Sequence, residues 1–316
     1  MSTSTKTVAL PPTSTASAVQ KPYENNPFMV PIDGLRMLFA RAQAIGITLI
    51  VLAALGLLGG VVQFVLDIAT SDMRANDDYT SSQQIESRDQ HASETTANQA
   101  DAALTEATEN IKQKINSLTA RDWALLGIGA TILFFLALVS WLIGVYIQAM
   151  IDYTVARVAK GHPVSFGDAM SGATRGYVGY LWVRVIVGFK VFLWSLLLLI
   201  PGLIMAVRYS LAGVSYFDKK LKGNAAVKDS LALTEHGWLT TYASYTLLDM
   251  LTFGAAETLV GTSAKIRLYQ QFNDLAKRGE EKPAAHILSW LTLLAPFVIL
   301  FFIVSLGLLL WAVFAA

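Results

Sequence analysis

Three runs of the chain, residues 44–66, 123–150 and 287–316, contain no charged side chain, and this restricts the possible folds more than any other feature. A helix rises about 1.5 Å per residue, so each run is long enough to cross a hydrocarbon core of about 30 Å. In residues 44–66 the only polar side chains are Thr48 and Gln63, which predicts a transmembrane helix. The second run carries Trp123, Trp141 and Tyr146 as interfacial anchors, and the third contains Pro296, where a kink is expected. No soluble globule can bury such runs alongside the polar stretches between them. With 54% hydrophobic and 15% charged residues, the composition is also well away from the soluble norm.

Two further apolar stretches are interrupted. Residues 181–217 are too many for one ordinary span, and Pro201-Gly202 divides them. Arg157, Lys160 and Arg175 precede this stretch, while Lys219, Lys220, Lys222 and Lys228 follow it. Basic flanks on both sides predict, under the positive-inside rule, a hairpin that enters and returns to the cytoplasm, with Pro201 and Gly202 at its turn. Residues 239–264, broken near Gly254 and followed by Lys265, Arg267, Lys277, Arg278 and Lys282, form a second hairpin by the same test. It is shorter, and full crossing and re-entry both stay open.

This threading places the amino terminus inside and the carboxyl terminus outside. Residues 1–43 are a cytoplasmic leader. Residues 67–122 carry 11 acidic and 5 basic side chains and lie outside. In the latter, Leu104, Thr108, Ile111, Ile115 and Leu118 recur at three-and-four spacing, which predicts one amphipathic helix before the span at 123–151.

An internal repeat is also visible. Phe166, Met170, Ala173 and Tyr177 match Val227, Leu231, Thr234 and Trp238 at a constant offset of 61, superimposing Asp168 on Asp229 and Gly176 on Gly237. Ser165 with Asp168 reads as a capping box, and Asn224 as a simpler cap. Each unit, 152–217 and 218–278, is then an amphipathic helix followed by a membrane hairpin, with a last span in 279–316. The expected fold is therefore all-α: a polytopic helical membrane protein with two parallel repeats of amphipathic helix plus membrane hairpin. Localisation follows as a multi-pass protein of the cell membrane, the bacterial cytoplasmic membrane being the natural host.

Chemistry is sparse. Cysteine is absent, which removes disulfides and thiolate sites, and a formal net charge of +1 offers no field to gather nucleic acid. His91, His162, His236 and His286 form no ligand spacing, and the chain lacks a phosphate-binding glycine loop, a nucleophile elbow and a His-Glu-x-x-His motif. No catalytic residue, metal site or cofactor is expected. The candidate functional residues are the intramembrane charges Lys190, Arg208, Asp249 and Glu257, each costly in lipid unless paired or hydrated. Ion pairs between the two hairpins, a hydrated substrate pathway, and a shallow second hairpin wetted around Thr241, Ser244 and Thr246 are the competing accounts. Arg184 is close enough to the end of its segment to snorkel. Gly56 and Gly60 offer a small-residue face for self-association.

The segment Leu199-Ile200-Pro201-Gly202-Leu203-Ile204 is followed by a helix in which Ala226, Ser230, Leu233 and Thr234 fit the pattern Ala-x-x-x-Ser-x-x-Leu-Thr. Over residues 164–278 the chain resembles the membrane domain of some bacterial glycerophosphodiester phosphodiesterases and its stand-alone relatives of unknown function. The acidic outer segment and the short, polar second hairpin depart from that group, and no hydrolase barrel is present to carry its activity. The resemblance implies a membrane protein that organises lipids or partners. A non-enzymatic scaffold or accessory protein, in contact with the bilayer and with membrane partners, needs the fewest parts. A channel or transporter built on the four charges, and a sensor using the outer segment, are the alternatives.

Overall fold

The computed structural model describes residues 23–59, 61–63, 105, 108–109, 112, 119–252, 254 and 256–315, and all regular structure among them is helical. The leader through residue 22, most of the acidic segment 67–122 with its amphipathic face, and Gly60 lie outside the described residues. In chain order the helices are α1 Met29–Arg41, α2 Gln43–Gln63, α3 Ala120–Ala159, α4 Phe166–Leu197 and α5 Leu199–Arg208. They continue with α6 Ala212–Lys219, α7 Asn224–Thr234, α8 Trp238–Leu251, α9 Glu257–Arg278 and α10 Ile287–Ala315.

The core forms around α9, which is polar enough to be soluble yet buries Ile266, Leu268, Tyr269 and Phe272 almost completely. It packs against α1, α3 and α8. On α1 the approach is close enough that an ideal Cβ on Gly34 would lie 2.5 Å from the Ser263 carbonyl carbon, so only glycine fits there. Val30 and Leu38 of α1, Val155 and Val158 of α3, and Leu211 and Val214 close the same cluster.

Among the described residues five stretches are long and apolar enough to cross a membrane: α2, residues Trp123–Ala159 of α3, α4, the α5–α6 pair over Ile200–Lys219, and Ile287–Trp311 of α10. Only 18%, 6%, 11%, 44% and 0% of their respective apolar windows are buried inside the protein. Helices that are apolar all round and unburied need an apolar medium or other helices around them. α10 runs unbroken through Pro296.

The α4–α5–α6 stretch doubles back on itself. Gly202 meets Ser195, Val183 clusters with Tyr209 and Ala212, and the Tyr216 hydroxyl donates to the Gly176 carbonyl at 2.9 Å, so the two arms run antiparallel. The turn corrects the sequence expectation: it falls at Leu198, extended at φ −162° and ψ 144°, while Pro201 and Gly202 sit in the first turn of α5. There a proline forfeits nothing, because a first-turn N–H has no helical partner in any case.

The two units expected to repeat differ in local structure. The first runs without interruption from Phe166 to Leu197, started by the Ser165–Asp168 capping box. The second breaks between α7 and α8 at a turn where His236 takes φ 58°. Its helix begins after Gly223, and the Asn224 side chain caps nothing; it accepts a hydrogen bond from Lys190 instead. Phe166 and Met170 are exposed, whereas their counterparts Val227 and Leu231 are buried and half-buried. Thr252, Gly254 and Ala256 then lie in turns, with Gly254 at φ +81°. At 14 residues α8 rises only about 21 Å, too short to cross.

Replacing Gly34 with alanine should lower stability by about 1–3 kcal/mol, as overpacking against a backbone does. Gly59→Ala, where an added Cβ meets nothing within 4 Å, should leave the thermal midpoint unchanged or raise it. Thermal unfolding in detergent compares the two.

Candidate functional site

The most concentrated polar chemistry among the described residues surrounds Asp152 on α3, which is 0% exposed. Lys265 of α9 donates to its Oδ1 at 3.1 Å, and the Tyr180 hydroxyl of α4 donates to Oδ2 at 2.7 Å. Gln148, one turn back on α3, adds a bond to Oδ1 at 3.3 Å. The Arg184 guanidinium lies over the Tyr180 ring, 5.5 Å from its centre, near enough for its charge to act on the carboxylate. From the fourth side comes Gly213 of α6, where a Cβ would collide with Oδ2 and sit 2.7 Å from the Tyr180 ring. A buried carboxylate is tolerable only when its lone pairs are filled and its charge matched. Here helices α3, α4, α6 and α9 are all set by that requirement.

Two cavities adjoin this node and share Gln148. One, of about 260 Å³, is polar and is lined by Ser210, Tyr245, Glu257, Thr262 and Lys265. The other, of about 710 Å³, is an apolar groove between α3 and α4 with Arg184, Gln148 and the Trp141 indole N–H as its polar groups. A third cavity, of about 620 Å³, lies where α1, α3, α6 and α9 end, and draws Arg41, Lys160, Lys219 and Lys277 together. Asp218 ties it: Lys160 approaches at 2.5 Å, and the Tyr269 hydroxyl donates at 2.8 Å. Burial first, and Asp218 second, push that hydroxyl well above the usual phenol range, so it stays a donor at any physiological pH. Lys219 is held by Asp229 at 2.8 Å.

The four charges singled out in the sequence are not brought into one site. Lys190 donates to Asn224 at 2.7 Å, with its ammonium 6.0 Å from the Tyr209 ring centre. Arg208 ends α5, and its Nε has no hydrogen-bond partner among the described residues. Asp249 and Glu257 bracket the α8–α9 turn as like charges, and of the four only Glu257 lines the polar cavity. Among the described residues no ion pair joins any of them, so the ion-pair account of these charges is corrected. The hydroxyls offered as signs of a wetted hairpin are satisfied within α8: Thr241, Ser244 and Thr246 donate to carbonyls four residues back, at 2.9, 2.7 and 2.9 Å.

Asp152 escaped the sequence reading because it stands just past the uncharged run ending at Met150. The usable signal was that it is the only carboxylate between Asp122 and Asp168. Its partners Tyr180 and Lys265 lie 28 and 113 positions away, separations that no local pattern reveals. The Ala226, Ser230, Leu233, Thr234 motif proves to be the buried face of α7. Ser230 and Thr234 both donate to the Arg208 carbonyl, at 2.7 and 3.1 Å, satisfying the end of α5.

Among the described residues, no cluster of three His, Asp or Glu side chains could hold a metal ion. No family model matches the chain, and neither a curated protein nor a solved structure matches it. Over the described residues the fold defines an all-helical class, with five stretches long and apolar enough to cross a membrane.

Lys265→Met should cost about 3–5 kcal/mol by stranding Asp152. Adding Asp152→Leu should recover much of the loss in a double-mutant cycle read by thermal unfolding. Lys190→Met, which removes one hydrogen bond at the surface, should cost under about 1 kcal/mol.

Proposed function

We propose that this protein is a multi-pass membrane scaffold or accessory protein without catalytic activity of its own, set in a bacterial cytoplasmic membrane with its α1–α9 core on the cytoplasmic side. The observation that carries the reading is the separation of packing from apolarity. Four of the five stretches able to cross a membrane are almost bare, and the close-packed core forms around the polar helix α9, drawing in Leu211 and Val214 of the fifth. Bare apolar helices offer lateral surface to lipid and partner helices, which is what a scaffold uses.

Orientation is supported by the basic cleft. Arg41 precedes α2, Lys160 follows α3, Lys219 ends α6 and Lys277 lies in the last turn of α9, and all four line one cavity. Gathered basic residues favour the cytoplasmic face. Five crossings then place residues 67–122 and the carboxyl terminus outside, with α8 and the start of α9 as a re-entrant hairpin. We carry the two parallel helix-plus-hairpin units, and the resemblance to the phosphodiesterase membrane domains, on the same terms.

A channel or transporter is the second reading, and the polar cavity holding Glu257 and Lys265 is the observation in its favour. Against it stands the dispersal of Lys190, Arg208 and Asp249, none of which lines that cavity.

The cysteine-free chain makes topology directly measurable. Single cysteines at Ser82 and Asn110 should react with an impermeant maleimide in intact spheroplasts, whereas Lys160→Cys and Lys277→Cys should react only after lysis. The reverse pattern overturns the orientation. Reconstituted vesicles should show no ion flux above protein-free controls, and a flux abolished by Glu257→Gln would replace the scaffold reading with the transport one.

A further inference from the structure

The groove between α3 and α4 is where the observations reach furthest, and the argument rests on the membrane reading above. Its walls are apolar, with Trp141 and Val145 on α3 and Phe189 and Phe192 on α4. Gly144 and Gly188 leave its floor open: a Cβ at either would meet nothing within 4 Å. At about 710 Å³ it falls within the range of small-molecule sites. From Arg184 to Phe192 the helix rises about 12 Å over eight residue steps, somewhat less than the ~15 Å depth of one leaflet.

Of the residues lining the groove only Arg184 is charged, and the Gln148 amide and the Trp141 indole N–H are its other polar groups. Arg184 bends back toward the start of its own helix, over Tyr180, as long helical side chains do. In the proposed topology that direction is cytoplasmic. Lys265 occupies Asp152 directly and shares the polar cavity with Glu257, whereas Arg184 forms no ion pair among the described residues. An anion at the Arg184 end of the groove would pair with that guanidinium and take the planar hydrogen bonds it offers to phosphate.

We infer that the α3–α4 groove is a binding site for one anionic phospholipid of the cytoplasmic leaflet, its phosphate at Arg184 and Gln148 and one acyl chain lying over Gly144 and Gly188. The direction of the groove, its length and its single cationic end fit this occupant. A zwitterionic lipid brings its own cation beside its phosphate and so gains less from the Arg184 charge than an anionic one. A lipid held there would contact the same Gln148 that bonds Asp152, coupling occupancy to the polar node.

The test is native mass spectrometry of the full-length protein released from nanodiscs of equimolar phosphatidylglycerol and phosphatidylcholine. Flotation with the parent vesicles is measured first. The wild type should retain one phosphatidylglycerol at least tenfold over phosphatidylcholine. Arg184→Gln should abolish that preference, and Arg184→Lys should restore part of it. Gly188→Leu, which fills open space without touching the node, should lower retention of both lipids at least tenfold while the thermal midpoint holds. Equal retention of the two lipids by the wild type would mark ordinary annular lipid and overturn the site, as would an unchanged preference in Arg184→Gln or unchanged retention in Gly188→Leu. Protein that floats but shows no preference refutes the lipid site alone. Protein that does not float refutes the membrane reading, and the site with it.

Discussion

The pairing of Asp152 with Lys265 is the contact on which the arrangement of the other helices depends. It joins α3, an apolar helix with almost no burial along its candidate span, to α9, the polar helix at the centre of the core. A carboxylate at 0% exposure cannot remain charged without matched partners, and each partner comes from a fixed place. Lys265 sets the rotation of α9, Tyr180 that of α4, and Gly213 the approach of α6. Apolar packing alone tolerates sliding, since one aliphatic contact resembles the next. A satisfied polar node among four helices penalises every other register, a specificity role that fits this geometry.

Apolarity and packing are separated along the chain. Among the described residues the most apolar helix, α10, buries none of its apolar window, while the core is built from helices with ordinary surface residues. Such a molecule presents apolar area sideways and polar area at one end, where Arg41, Lys160, Lys219 and Lys277 meet above Asp218. The small-residue contacts follow the same division. Gly34 and Gly213 are needed where helices touch, whereas Gly144 and Gly188 open a groove toward the surroundings.

How much was legible in the sequence differed from element to element. The uncharged runs at 44–66, 123–150 and 287–316 correspond to α2, α3 and α10 because length and lack of charge are local properties. The Ser165–Asp168 box was equally readable, since its two hydrogen bonds span three residues. The turn of the first hairpin was misplaced from Leu198 to Pro201-Gly202, because proline marks either a break or the first turn of the next helix and the sequence does not say which. Asn224 was assigned as a cap by residue type, but its side chain is drawn instead to Lys190 on the neighbouring arm. The charges Lys190, Arg208, Asp249 and Glu257 stood out because they interrupt apolar segments. Asp152 sat past the end of one and attracted no notice.

By itself the sequence determined an all-helical chain, which stretches are long and apolar enough to cross a membrane, and which flanks are basic. These follow from hydropathy, length and charge along a single helix. Only the tertiary structure decided that α9 is the central helix, that the hydroxyls of α8 are satisfied internally, and that Asp152 finds Lys265 from 113 positions away. The physical reason is the range of the forces involved. Hydrophobic periodicity and helix capping act within a few residues, whereas the partner of a buried charge is chosen by which helix faces meet in space.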